Sequence, residues 1–144
     1  MDPGIVDLGA RRYAKRTRRQ FADQRRNIDR FFLTLALAVS DRRKSEMRAA
    51  FNQYRTVISD HFALEEQVFF PAIQIEDPGR KPEIESLIRS HDRLLDELAQ
   101  MEEQLESLSR EDFSRRLHGF ATMLAIHENK EEVLIAATAN VQVA

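Results

Sequence analysis

Apolar residues recur along this chain at helical spacing in four separate stretches. Phe21, Ile28, Phe31, Phe32, Leu35 and Val39 form the first stripe. Met47, Ala50, Phe51, Tyr54, Val57, Ile58, Leu64 and Val68 form the second. Ile84, Leu87, Ile88, Leu94, Leu95 and Leu98 make a third, and Phe113, Phe120, Met123, Leu124 and Leu134 a fourth. Residues three, four and seven apart share one face of an α-helix, so each stretch predicts an amphipathic helix with a buried side. The expected spans are Tyr13 or Arg18 to Ser40, Ser45 to Phe70, Pro82 to about Leu108, and Arg110 to about Ala137. Pro71 is expected to stop or kink the second helix, and Pro82 to start the third. Ser109, with Asp112 three residues on, fits the N-cap of the fourth. The polar run Asp41 to Ser45 and the segment Gln74 to Pro82 supply connections. Long helices with short connections predict an all-α fold, an up-down-up-down four-helix bundle. Residues 1–12 read as an irregular N-terminal arm, 13–138 as the bundle, and 139–144 as a C-terminal tail.

Against this pattern, certain polar residues are out of place. His61 and Glu65 are four apart, hence one turn apart on one helix face. That face is the apolar one: at about 100° per residue, Tyr54, Val57, Ile58, Leu64 and Val68 all fall within about 60° of His61. His127 and Glu131 repeat the spacing on the fourth stripe, and His91 interrupts the third. A buried imidazole or carboxylate is costly unless something satisfies it, and a metal ion can do so.

Composition narrows the chemistry. The chain has 144 residues, enough for one domain with a sizeable core. It has no cysteine, which excludes disulfides, thiolate metal sites and thiol catalysis. A cytoplasmic location is expected, because no signal-peptide pattern opens the chain. No membrane association is expected either, since the apolar run Phe31 to Val39 is about half a membrane span. The net charge of −2 selects no class of partner. Residues 11–30 carry nine basic side chains against Asp23 and Asp29. No aromatic interleaving or nucleic-acid motif accompanies them, so they read as a solvated helix face, not a nucleic-acid contact.

The residues around these positions resemble the hemerythrin-like, or HHE cation-binding, domain. His61-Phe-Ala-Leu-Glu65-Glu-Gln-Val-Phe-Phe-Pro71 is similar to that family's second-helix signature. Ser90-His91-Asp-Arg-Leu-Leu and His127-Glu-Asn-Lys-Glu131-Glu132 are similar to its third and fourth. The resemblance implies a four-helix bundle around a non-haem di-iron centre. Position by position, it makes His61, His91 and His127 terminal metal ligands, and Glu65 and Glu131 the bridging carboxylates. It implies binding or sensing of oxygen, peroxide, nitric oxide or redox state, or a part in repairing iron–sulfur centres. The single histidine on the third helix is closer to the sensor and repair branches than to the oxygen carriers.

One position departs from the family. The expected first-helix histidine is replaced by Arg25, or by Gln24 if the register shifts by one. Arginine has no lone pair to donate, whereas glutamine can coordinate weakly through its amide oxygen. Mixed imidazole and carboxylate suits iron, with manganese or zinc as alternatives. The expected partners are therefore a metal ion and a small diatomic or peroxide ligand, with peroxide or dioxygen turnover open as an activity. The competing reading is a degenerate, metal-free bundle serving as an interaction or regulatory module, with Arg25 paired to Glu65 and Glu131. His118 reads as a surface residue and Tyr54 as a core tyrosine. Glu66, Glu128 and Glu132 read as solvating residues off the inner stripe. Leu33 and Leu37, opposite the core stripe, predict a homodimer through the first helix, unless Ile5, Val6 and Leu8 of the arm cover them.

Overall fold

The structure is a computed structural model. It describes the backbone of residues 3–41 and 43–143, and the side chains of residues 19–41 and 43–137. The helices are α1 (Pro3–Ser40), α2 (Lys44–Leu64), α3 (Phe70–Glu76), α4 (Lys81–Gln104) and α5 (Arg110–Val143). A π turn, Glu65–Phe69, joins α2 to α3, so these two form one continuous rod. A 3-10 turn, Pro78–Arg80, leads into α4. The chain is thus a bundle of four rods, with α1 against α2 and α5, and α4 against α5.

Several boundaries differ from the sequence expectation. At the ends of the chain, helical backbone begins at Pro3, where an irregular arm was expected, and α5 runs on to Val143 in place of a tail; inside it, the second rod runs past Pro71 to Glu76 and α4 stops at Gln104, short of the expected Leu108. Pro3 opens the helix without loss, since the first helical N–H needs no partner. Isolated glycines lower helix propensity without forbidding the conformation. The expected cap is present: the Asp112 N–H donates to Ser109 Oγ at 3.1 Å. At the other end of the same corner, Arg110 donates to the Ser40 carbonyl at 3.0 Å and closes the end of α1.

The π turn explains a further difference. An unbroken α-helix would put Val68, seven residues past His61, on the inner face. Instead Phe69 and Ile73 are buried and Val68 is only half-buried. The Phe70 N–H reaches back to the Glu65 carbonyl, five residues away, so one extra residue enters the turn and the inner face advances by one. The same widening lets the rod pass Pro71, whose ring would collide with a carbonyl of a regular turn.

The core has two parts. One apolar cluster contains Ile28, Leu35, Val39, Phe51, Tyr54, Ile58, Phe62, Leu94, Leu98, Phe113, Phe120 and Leu124. The other contains Phe21, Phe69, Phe70, Ile73, Ile84, Leu87 and Leu134. Every rod crosses from one cluster to the other, and alternate rods cross in opposite senses, as an up-down-up-down bundle requires. The gap between clusters falls at residues 22–27 of α1, 63–68 of the α2 rod, 88–93 of α4 and 125–133 of α5. Glu65, His91, His127 and Glu131 lie at this level, with His61 at its edge beside Phe62. Met123, expected on the inner stripe, is instead 43% exposed.

Candidate metal centre

The polar level of the bundle is closed to water. His61, Glu65, His91 and Glu131 have no exposed surface, and His127 and Glu128 retain 4% each. Their nitrogen and oxygen atoms converge. His61 Nε2 stands 3.3 Å from Glu65 Oε1 and 3.1 Å from Glu128 Oε1. His91 Nε2 stands 3.4 Å from Glu65 Oε1 and 3.6 Å from Glu131 Oε2. His127 Nε2 lies 2.5 Å from Glu131 Oε1. Two groups of four possible ligands result, each with donor atoms within 4.8 Å of one another. One is Glu65, His91, His127 and Glu131; the other is His61, Glu65, Glu128 and Glu131. Glu65 and Glu131 belong to both.

These contacts are mostly not hydrogen bonds. Nine buried atoms on Glu65, His91, His127, Glu128 and Glu131 have no hydrogen-bond partner. A native interior holds few such atoms, and nine at one level call for a specific cause. Donor atoms sharing one cation at about 2.1 Å stand about 3 Å apart at right angles, the separation seen here. Donor atoms that converge without hydrogen-bonding one another are the signature of a ligand set. The residues present therefore fit the binding of a metal cation.

Neighbouring side chains hold the imidazoles. Phe62 stacks on His91 with centroids 3.9 Å apart and rings 8° from parallel. Phe70 lies over the other side of the ring at 5.8 Å. Phe21 packs against His61 at 4.8 Å, and Phe62 meets His127 edge-on at 5.6 Å. His61 Nδ1 donates to Gln24 Oε1 at 2.9 Å, which turns Nε2 toward the carboxylates. Such packing keeps the donors in one orientation before any ion arrives.

Burial also sets the charge state of the metal-free cluster. It pushes His91 down to about 3, helped by His127 and His61. It pushes His127 down to about 4, partly opposed by Glu128. Both imidazoles are neutral at physiological pH, the form that binds metal. Burial raises the Glu131 carboxyl to about 9, against the pull of Arg25. A cation in the cluster would reverse that shift.

The sequence expectations fare unevenly. His61, Glu65, His91, His127 and Glu131 are brought together. Arg25 does not pair with Glu65 and Glu131 as the metal-free reading required. Its Nε lies 3.5 Å from Glu128 Oε2, and its Nη1 pairs with Glu132. Gln24, not Arg25, faces the cluster from α1. Glu132 is half exposed and solvated. Glu66 is not merely solvating: its carboxylate lies 3.8 Å from His91 Nδ1, and burial followed by Asp92 raises it. Glu128 is the residue the sequence reading missed. It follows His127 by one, so regular helical phasing turns it about 100° from the ligand face. The seam between α1 and α5 is buried as well, and Glu128 enters the cluster from there. The signal for it was Gln24-Arg25 itself, a polar and basic pair where α1 needed a partner for that seam. His118 is exposed, edge-on to Phe32 at 5.5 Å. Tyr54 is buried, and its phenol is raised by burial, then by Asp29 and Glu128.

Two cavities approach the cluster. One of about 240 Å³ between α1 and α5 is lined by Arg25, Ile28, Phe32, Tyr54, Leu124 and Glu128, among others. The other, of about 440 Å³ between α4 and α5, reaches His127 past Ser90, Arg93 and Lys130. Among the described residues, no helix is long and apolar enough to cross a membrane.

Comparison with known proteins points to one family. The profile of the Hemerythrin HHE cation binding domain matches residues 15–139. No curated protein and no solved structure matches the chain.

Proposed function

The chain belongs to the hemerythrin HHE cation-binding family, and from that premise we propose that it binds a pair of iron ions and uses them to handle a small oxidant or diatomic gas. The observation that carries the reading is the pair of four-donor groups sharing Glu65 and Glu131. Three imidazoles and the carboxylates form a donor set suited to iron, with manganese and zinc as competitors. Eight unsatisfied buried atoms on His91, His127, Glu65 and Glu131 argue against a metal-free bundle, because Arg25 compensates Glu128 and Glu132 but bonds to neither bridging carboxylate.

Iron, when bound, supplies Lewis acidity and electrons to dioxygen, peroxide or nitric oxide. The protein supplies the rest. Phe62 and Phe70 fix the plane of His91 and exclude water. Gln24 fixes the tautomer of His61. The 240 Å³ cavity between α1 and α5 gives a diatomic or peroxide a route toward Glu128, past the Tyr54 phenol.

The test is metal analysis of chelator-stripped protein reloaded with ferrous iron under anaerobic conditions and then desalted. About two irons per chain are expected, followed by an optical change on adding peroxide, oxygen or nitric oxide. Protein that retains no iron, with helix content intact, would overturn the reading.

A further inference from the structure

We propose that Glu128 is a ligand of the second metal position, so that the two halves of the centre carry unequal donor sets and are completed from α5 rather than α1. This rests on the reading of the cluster as a dimetal site. No histidine or acidic residue of α1 belongs to either four-donor group. The group of His91 and His127 has two nitrogens and two carboxylates, whereas the group of His61 and Glu128 has one nitrogen and three carboxylates.

Three observations carry the assignment. First, Glu128 is 4% exposed, and its Oε1 has no hydrogen-bond partner. It is aimed into the cluster, with Oε1 3.1 Å and Oε2 3.2 Å from His61 Nε2. Second, Gln24 is already engaged. Its Oε1 accepts from His61 Nδ1, the nitrogen facing away from the carboxylates, so it orients a ligand and leaves the second position one donor short. Third, Arg25 lies behind Glu128, with Nε 3.5 Å from Oε2, while its Nη1 pairs with Glu132. A guanidinium in that place offsets the third carboxylate and fixes its rotamer.

The donor sets imply different preferences. Imidazole-rich positions suit zinc and iron alike, whereas carboxylate-rich positions favour harder ions such as manganese. The half holding His91 and His127 should therefore accept zinc readily, and the half holding His61 and Glu128 should select manganese or iron over zinc.

The experiment loads parent, Glu128→Ala, Glu128→Gln and Glu132→Ala proteins with manganese, and counts metal after desalting. Far-UV circular dichroism is recorded on each. Parent and Glu132→Ala should retain about two ions per chain, and both Glu128 variants about one. Electron paramagnetic resonance of the Glu128 variants should show an isolated manganese ion in place of the parent's coupled pair. Glu128→Gln keeps the shape of the side chain, so a folded variant is available even if the alanine substitution disturbs packing. Folded Glu128 variants that keep two coupled ions would overturn the assignment. So would variants that lose both, since Glu128 would then not belong to one half. A parent that binds no metal overturns the dimetal reading instead, a result told apart by the parent arm alone.

Discussion

Gln24 Oε1 accepts a hydrogen bond from His61 Nδ1 at 2.9 Å, across the seam between α1 and the α2 rod. That bond fixes which nitrogen of His61 faces Glu65 and Glu128. A ligand histidine commonly relies on such a partner, and losing it costs roughly tenfold to hundredfold in metal affinity. Gln24→Ala should therefore weaken binding of one metal equivalent by about that factor and leave the other unchanged. Gln24→Glu, which keeps an acceptor, should bind close to the parent. Isothermal titration with manganese separates the two equivalents. Equal affinities in Gln24→Ala and parent would remove Gln24 from the site.

Metal should stabilise the fold. The buried cluster contains unsatisfied carboxylates and imidazoles, and an ion that binds only the native state raises stability by mass action. At free metal about a hundredfold above its dissociation constant, the gain is about 2.7 kcal/mol for each site. Thermal melts with excess iron or manganese, and with a strong chelator, measure it. Coincident melting curves would contradict the prediction.

The metal-free protein should be most stable near pH 6.5. His91 and His127, held down to about 3 and 4, stay neutral while the unfolded chain takes up protons below about 6.5, so stability falls toward acid. Glu131, raised to about 9, keeps its proton while the unfolded chain loses one above about 4.5, so its contribution falls as pH rises to 9. Glu66, raised by burial and then by Asp92, acts in the same sense. Between pH 6.5 and 9 the decline from Glu131 is about 3 kcal/mol, at ~1.4 kcal/mol per pH unit and levelling off near 9. Bound metal favours the ionised carboxylate and should abolish the alkaline decline. Melting temperatures of chelated and loaded protein across pH 4–10 test both limbs. A chelated protein whose stability rises steadily to pH 9 would be inconsistent with a buried, protonated Glu131.

The bundle was legible because each rod repeats its apolar residues over several turns. His61, His91 and His127 were legible because they break such stripes. What escaped the sequence lay in the seams. Glu128 sits one residue from the ligand face and becomes internal only because α1 covers that flank. Arg25 looked like a counter-charge for the bridging carboxylates, yet its length carries it outward to Glu128 and Glu132. Val68 was assigned inward because regular helical phasing cannot foresee a π turn. Side chains of the basic run before Arg19, and those of Ile5, Val6 and Leu8, lie outside the described residues.

Leu33 and Leu37 remain 61% and 64% exposed, one turn apart on the outer face of α1. We expect them to mediate self-association, as a paired apolar outer face on a bundle helix does. Light scattering of parent and of Leu33→Glu/Leu37→Glu protein checks this. A dimer-to-monomer change on substitution is the expected outcome, and a monomeric parent would remove the interface.

The π turn should serve the metal site at some cost to the rod. It begins at Glu65, a member of both four-donor groups, and it moves the inner face on by one residue. Such turns persist where they position functional side chains, since their hydrogen bonding is poorer than that of a regular helix. Gln67 is an exposed residue within it. Deleting Gln67 should restore regular phasing, because Phe69 and Ile73 would then stand seven and eleven residues past His61, both on the inner face. Pro71 would meet a regular turn, so Pro71→Ala must accompany the deletion. This double variant should keep its helix content, and its metal-free form should melt at or above the parent temperature. Its metal affinity should fall by about tenfold or more, because the carboxylate of Glu65 loses the backbone that aims it. The comparison needs Pro71→Ala alone as reference, with circular dichroism melts of stripped protein and metal titration of each. If the deletion binds metal as tightly as that reference, the π turn serves only to admit Pro71. If the stripped deletion variant is unfolded, regular phasing does not suit this rod, and the extra residue is required by packing rather than by the site.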